Sequence, residues 1–194
     1  MNKLVKKLML VAAMLMLAAG PSFAADAIRI GLMCPLTGKW ASEGQDMQQI
    51  VSLLVSEVNK AGGINGKQIE LIVEDDAGDP RTASLAAQKL ASAGVMAVIG
   101  TYGSAVTEAS QNIIDEAEIM QIATGSTSVR LTEKGLPLFF RTCPRDDEQG
   151  RVASKVIAAK GFKKVAILHD NSAYAKGLAD EARQRIIDKK SADI

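Results

Sequence analysis

The sequence predicts an α/β fold, a doubly wound parallel sheet with helices on both faces. Three observations carry it. Short apolar runs alternate with amphipathic helical patterns. Most neighbouring runs are separated by a helix long enough to serve as a crossover. The polar and glycine-rich stretches follow the apolar runs, so they gather along the carboxyl edge of the sheet, where open parallel sheets bind ligands.

The chain begins "MNKLVKKLMLVAAMLMLAAGPSFA", with Lys3, Lys6 and Lys7 ahead of an apolar run from Leu8 to Ala19 and small residues at Ser22 and Ala24. Residues 1–24 read as a secretory signal peptide cleaved after Ala24, because the run is shorter than the roughly 20 residues of a spanning helix. "IRIGLM", Ile28 to Met33, reads as a buried strand. The helix after it carries Met47, Ile50, Val51, Leu54, Val55 and Val58 on one predicted apolar face. "AGGING", Ala61 to Gly66, ends it and turns the chain.

The pattern then repeats: "KQIELIVED" as strand, "PRTASLAAQKLA" as helix with Pro80 in its first turn, "VMAVIG" as strand, "SAVTEASQNIIDEA" as helix and "IMQIA" as strand. "LPLFFRT", Leu136 to Thr142, is a further strand. "CPRDDEQGRVASKVIAAKG" opens a helix whose acidic first turn, Asp146 to Glu148, suits the helix dipole. "KKVAILHD" is expected as a strand and "YAKGLADEARQRIIDKK" as a helix. "SADI" falls where the pattern calls for the next strand, so the chain is expected to stop in mid-pattern.

Composition narrows the function classes. Setting aside the three lysines of the leader leaves 20 basic residues against 22 acidic ones, a balance that argues against a nucleic-acid partner. No apolar run after Ala24 is long enough to span a bilayer. Cys34 and Cys143 are the only cysteines; both follow predicted strands that need not be neighbours, so a disulfide stays open. Two thiols and the lone His169 make no metal-ligand spacing.

Among the motifs, "GTYGS" offers Gly100 and Gly103 for close backbone approach and Ser104 at the start of a helix. That is either an anion site or a plain helix cap; the spacing of a dinucleotide fingerprint and a Walker lysine are both absent. "ATGSTS", Ala123 to Ser128, supplies the hydroxyls of Ser126 and Thr127 and a carbonyl at Gly125, at what a doubly wound order makes the adjacent strand end. "EDDAGDP", Glu74 to Pro80, reads as a loop in which Asp79 caps a helix, without the ligand spacing of a calcium loop. His169 has no nucleophile in a recognisable elbow, and no catalytic constellation is legible. Trp40 and Tyr174 are the loop aromatics suited to wall a small-ligand cleft.

Taken together, "IRIGLMCPLTGKWASEGQDM", "NKAGGINGKQIELIVEDDAGDPRTA", "VIGTYGSAVTEAS", "QIATGSTSVRLTEKGLPLFFRTCPRDDEQG" and "VAILHDNSAYAKGLA" resemble the N-terminal half of the leucine/isoleucine/valine-binding proteins, the type I periplasmic substrate-binding proteins of branched-chain amino-acid ABC transporters. The resemblance implies two doubly wound lobes joined by a hinge that closes on the ligand. It implies an N-terminal lobe over residues 25–142, and over 143–194 a hinge crossing with only the start of a second lobe. Ser104 would hold the ligand carboxylate, the Gly125 carbonyl and Thr127 hydroxyl within the Gly125–Ser126–Thr127 site would receive the ammonium, and Tyr174 would come from the second lobe.

Departures from the family pattern accompany this. Its first-loop aromatic aligns near Glu43, with Trp40 three residues earlier, and Gly78 and Gly103 stand near the positions of a disulfide found in some members. Full members are about twice this length. The acid that pairs with the ligand ammonium is expected in the half beyond this chain, and a buried ammonium without a counter-charge is costly, so weak binding is expected. The function implied is non-enzymatic: capture of an amino acid, a branched-chain one first, in the periplasm and delivery to an ABC permease, with no cofactor, metal, nucleic acid or stable membrane insertion. A sensor domain of the same fold for another amino acid, amide or small carboxylate is the alternative.

Overall fold

The structure is a computed structural model that describes residues 27–189; the predicted leader, 1–24, lies outside the described residues. Five strands, β1 (Ile28–Cys34), β2 (Ile69–Asp75), β3 (Ala97–Ile99), β4 (Met120–Ala123) and β5 (Phe139–Arg141), form one sheet in the order β2-β1-β3-β4-β5. Every neighbouring pair is parallel. The helices are α1 (Ala41–Lys60), α2 (Pro80–Ser92), α3 (Ser104–Glu116), a single turn α4 (Arg130–Glu133), α5 (Asp146–Lys160) and α6 (Ala173–Asp188).

The strand order reverses at β1. The chain moves outward from β1 to β2 and then back across to β3 and β4, so right-handed crossovers place α1 on one face and α2 and α3 on the other. The reversal makes a crevice at the carboxyl ends of β1 and β3.

The main core lies where α2 and α3 meet the sheet. Ala83, Ala86 and Ala87 keep that face of α2 thin, and Leu90 projects from it into a cluster with Met33, Val98 and Ile114. A second cluster of Ala123, Leu131 and Phe139 closes the β4–β5 end. Asp79 accepts from the Thr82 amide at 2.9 Å and caps α2 ahead of Pro80, as the loop reading of "EDDAGDP" requires.

Two expectations differ from the structure. The apolar face foreseen for α1 is only partly buried: Ile50 and Leu54 remain 60% and 53% exposed. Of the elements, α1 packs chiefly on β1 and β2, with α2 and α3 on the opposite face, so one side of its stripe has no neighbour among the described residues. "KKVAILHD" forms no strand over residues 165–170. A strand exists by pairing its backbone groups, and these residues pair with none of the five strands; Leu168 is 93% exposed. Cys34 and Cys143 are both free thiols.

Close backbone approach fixes the start of α1. A Cβ on Gly44 would stand 2.0 Å from the Pro35 carbonyl oxygen, so only glycine lets the helix lie on the β1–α1 loop. Gly44→Ala is expected to lower folding stability by about 1–3 kcal/mol, read as a drop in the urea midpoint at unchanged slope. A midpoint equal to wild type would show that the loop yields freely.

Candidate functional site

The carboxyl edge is built from loops that bind one another. Asp75, ending β2, accepts from the Leu36 and Ala77 amides at 2.8 Å and from the Thr37 hydroxyl at 2.6 Å. Burial raises its carboxyl, but these donors outweigh burial and hold it below its ordinary value. Asp75 thereby ties the β1–α1 loop to the β2–α2 loop.

Trp40, the last residue before α1, reaches across both loops. A Cβ on Gly78 would stand 2.8 Å from the indole, and one on Gly103 would stand 2.6 Å from it. Two glycines therefore open the slot in which the ring lies. Its other contacts are Tyr102, edge-on with centroids 5.7 Å apart, and Lys39, whose Nζ lies 4.3 Å from the ring centroid. Tyr102 lies in turn on Gly125, where a Cβ would come within 2.7 Å of the phenol ring.

The ends of β3 and β4 are joined by buried hydroxyls. Thr101, Thr107 and Ser126 form a file with 2.5 Å between successive oxygens, and Ser126 also donates to the Thr101 and Tyr102 carbonyls. The Ser104 hydroxyl accepts from the Ser128 amide at 3.2 Å. These bonds hold the turn before α3 against the loop after β4.

Above them is a cavity of about 180 Å³, lined by Trp40, Tyr102, Gly103, Ser104, Gly125, Thr127 and Tyr174. Of the residues singled out from sequence, Trp40, Ser104, Gly125, Thr127 and Tyr174 come together on its wall. Ser126 does not; it is fully buried beneath, its hydroxyl committed to Thr107 and the backbone. Tyr102 and Gly103 were not singled out as lining residues, although both stand in "GTYGS"; an aromatic between two glycines at a strand end is the signal that marks them. A larger open groove of about 810 Å³ between α5 and α6 is walled mostly by apolar side chains such as Val152, Ile167 and Leu178, without the convergent polar groups of the smaller cavity.

The cavity floor suits an anion beside a hydrogen-bond acceptor. Ser104 opens α3, whose first-turn amides have no acceptor within the helix. Thr127 Oγ1 is buried beside the Asp146 carboxyl, which its hydroxyl helps to hold down, so its lone pairs remain open to a donor. In the loop after β2, Asp76 is 1% exposed; Gly78 donates to its Oδ1 at 2.8 Å, while Oδ2 has no partner among the described residues. Burial pushes its carboxyl up to about 6 and, with Asp76 and Asp75 nearby, the Cys34 thiol up to about 12.

The periplasmic binding protein family matches residues 27–189. The chain is 41% identical over 172 residues to the Leu/Ile/Val-binding protein homolog 1 of Brucella abortus, a match covering 88% of this chain and 46% of that protein. It is 39% identical over 172 residues to the leucine-, isoleucine-, valine-, threonine- and alanine-binding protein of Pseudomonas aeruginosa, with the same two coverages. Among solved structures it resembles the branched-chain amino-acid transporter substrate-binding protein LivJ of Streptococcus pneumoniae in complex with isoleucine. The TM-score is 0.74 at 30% identity, over 82% of this chain and 47% of that one. The chain thus spans about half the length of the relatives it matches.

Two outcomes test this account of the edge. Thr107→Val keeps the side-chain shape but breaks the hydroxyl file, and is expected to cost about 1–3 kcal/mol in chemical denaturation; a loss within error of zero would mean the file carries no stability. For Asp76, the folded carboxyl titrates near 6 against an ordinary 3.8. The folded state therefore binds the extra proton between these values, and stability falls as pH rises from about 4 through about 6. Asp76→Asn is expected to be more stable than wild type at pH 7.5, by up to about 3 kcal/mol, with the gap closing toward pH 4. Parallel pH profiles for the two proteins would contradict this.

Proposed function

The chain belongs to the periplasmic binding protein family, and from that premise we propose that it captures an amino acid, a branched-chain one first, for delivery to an ABC transporter. The observation that carries the reading is the cavity floor, where the opening of α3 at Ser104 stands beside Thr127. An α-amino acid presents a carboxylate and an ammonium on one carbon, and these two groups match helix amides and a hydroxyl acceptor set side by side. The rings of Trp40, Tyr102 and Tyr174 and the backbone at Gly103 supply the apolar wall for a side chain.

Binding rather than catalysis fits the relatives, which are named as binding proteins. Export through the leader at residues 1–24 accounts for a periplasmic site of action, and no helix among the described residues is long and apolar enough to cross a membrane. The indole of Trp40 in place of an aromatic at position 43 shapes the apolar wall, so the order of preference among leucine, isoleucine and valine is this protein's own. Closure against a second lobe completes the site; residues 25–142 supply the first lobe and residues 143–194 begin the crossing.

Calorimetric titration of L-leucine, L-isoleucine and L-valine into the chain, up to millimolar ligand, tests the reading. Trp40 is the only tryptophan, so its fluorescence gives an independent signal from the cavity wall. Saturable heat with a matching emission change is expected for at least one of the three, and none for D-glucose. Absence of saturation with every amino acid tried would remove the proposal.

A further inference from the structure

The indole that walls the cavity rests on a turn held by one buried carboxylate. Asp76 follows β2 and is 1% exposed. Its Oδ1 accepts from the Gly78 amide at 2.8 Å, its carbonyl accepts from the Asp79 amide at 2.9 Å, and its own amide donates to the Cys34 carbonyl at 3.1 Å. Ala77 and Gly78 are both left-handed in this turn, with φ of 52° and 65°, a region that the Cβ of alanine disfavours. The side-chain bond to Gly78 helps to hold them there. Gly78 lies against Trp40, since a Cβ there would stand 2.8 Å from the indole, and the Ala77 carbonyl oxygen would stand 2.6 Å from a Cβ on Gly38. A shift of this turn therefore reaches the ring and the loop that carries it.

The same carboxyl has one oxygen that nothing serves. Oδ2 is buried with no hydrogen-bond partner among the described residues. The ionisable groups about it give no counter-charge: β2 brings the Asp75 carboxylate, and β1 brings the Cys34 thiol, which burial keeps neutral. At the start of α2 the Asp79 carboxylate is occupied with Thr82, and Lys39 of the β1–α1 loop is stacked on Trp40. A buried charge without donors or a partner is costly, whereas the protonated carboxyl carries none. Burial is accordingly the main influence on Asp76, opposed by the Gly78 amide and reinforced by Asp75, and the net direction is upward. The ionised form is relieved only if water reaches Oδ2, and water enters only if the turn opens.

We infer that Asp76 is a positioning residue for the aromatic wall: protonated, it holds the Gly78 turn closed against Trp40; ionised, it draws water to Oδ2 and loosens the turn that seats the ring. Asp76 acts through Gly78 and Trp40 and touches no ligand itself. A ligand that packs on the seated indole favours the closed turn, and with it the protonated carboxyl. Capture and proton uptake are thus linked, each strengthening the other. The ligand half of this inference rests on the amino-acid reading above; the response of the turn to pH does not.

Trp40 is the only tryptophan, so its emission on the full chain, followed from about pH 4.5 to about pH 8 with far-UV circular dichroism as a check on folding, reads the turn directly. Wild type is expected to shift to longer wavelength as pH rises, with a midpoint near the value of about 6 to which the Asp76 carboxyl is pushed. Asp76→Asn is expected to keep the acid-side wavelength throughout. His169→Gln, which removes the only histidine, is expected to keep the transition. Calorimetry then reads the linkage: L-leucine is expected to bind wild type about 10-fold more weakly at about pH 7.5 than at about pH 5, and Asp76→Asn equally at both. A wild-type emission that does not move, or a transition that survives in Asp76→Asn or is lost in His169→Gln, would overturn the positioning role. The wild-type and His169→Gln titrations decide it if Asp76→Asn fails to fold. Equal leucine affinity at the two pH values would overturn the linkage. A chain that shows the emission transition but takes no amino acid would overturn the amino-acid reading and leave the role of Asp76 in place.

Discussion

The file of buried hydroxyls from Thr101 through Thr107 to Ser126 is the contact on which the rest of the carboxyl edge depends. Two parallel strands that end side by side expose unpaired carbonyls just where the chain must turn, and buried carbonyls need donors. Ser126 serves the Thr101 and Tyr102 carbonyls, Thr107 reaches up from α3 to hold it, and Ser104 accepts from the Ser128 amide. The turn before α3 and the loop after β4 are thereby fixed to one another. That is why the helix opening and the Thr127 hydroxyl meet in one cavity.

Close approach does for the aromatic side of the site what hydroxyls do for its floor. The indole of Trp40 occupies the space that side chains at Gly78 and Gly103 would fill, and the Tyr102 ring occupies the space over Gly125. Three loops therefore pack through rings rather than through a covalent link. The free thiols Cys34 and Cys143 take no part in this.

Carboxylates withdrawn from solvent, partly at Asp75 and fully at Asp76 and Asp146, divide by what surrounds them. Asp75 is ringed by amides and a hydroxyl that outweigh its burial, and it acts as a staple between loops. Asp76, one residue on, receives one amide and is left with an oxygen unserved. Asp146 stands in the same position as Asp76 with respect to desolvation, but next to the Thr127 hydroxyl, which acts to lower it. Identical chemistry thus ties loops together in one place and is left with an unserved oxygen in another.

The sequence by itself determined the alternation of strands and helices, the parallel sheet, the family, and the strand ends at which the polar residues gather, because hydrophobic period and glycine placement are local properties. Trp40, Ser104, Gly125, Thr127 and Tyr174 were legible because each sits in a loop or at a helix start following an apolar run. Only the tertiary structure decided that Ser126 faces inward to Thr107, that Tyr102 joins the wall, that Ile50 and Leu54 of the α1 stripe stay open, and that residues 165–170 form no strand. It also placed Asp146, read from the sequence as one of three acids suiting a helix dipole, beneath Thr127. Each of these depends on which segment, distant in the chain, arrives to accept a hydrogen bond or cover a face, and no local pattern encodes that arrival.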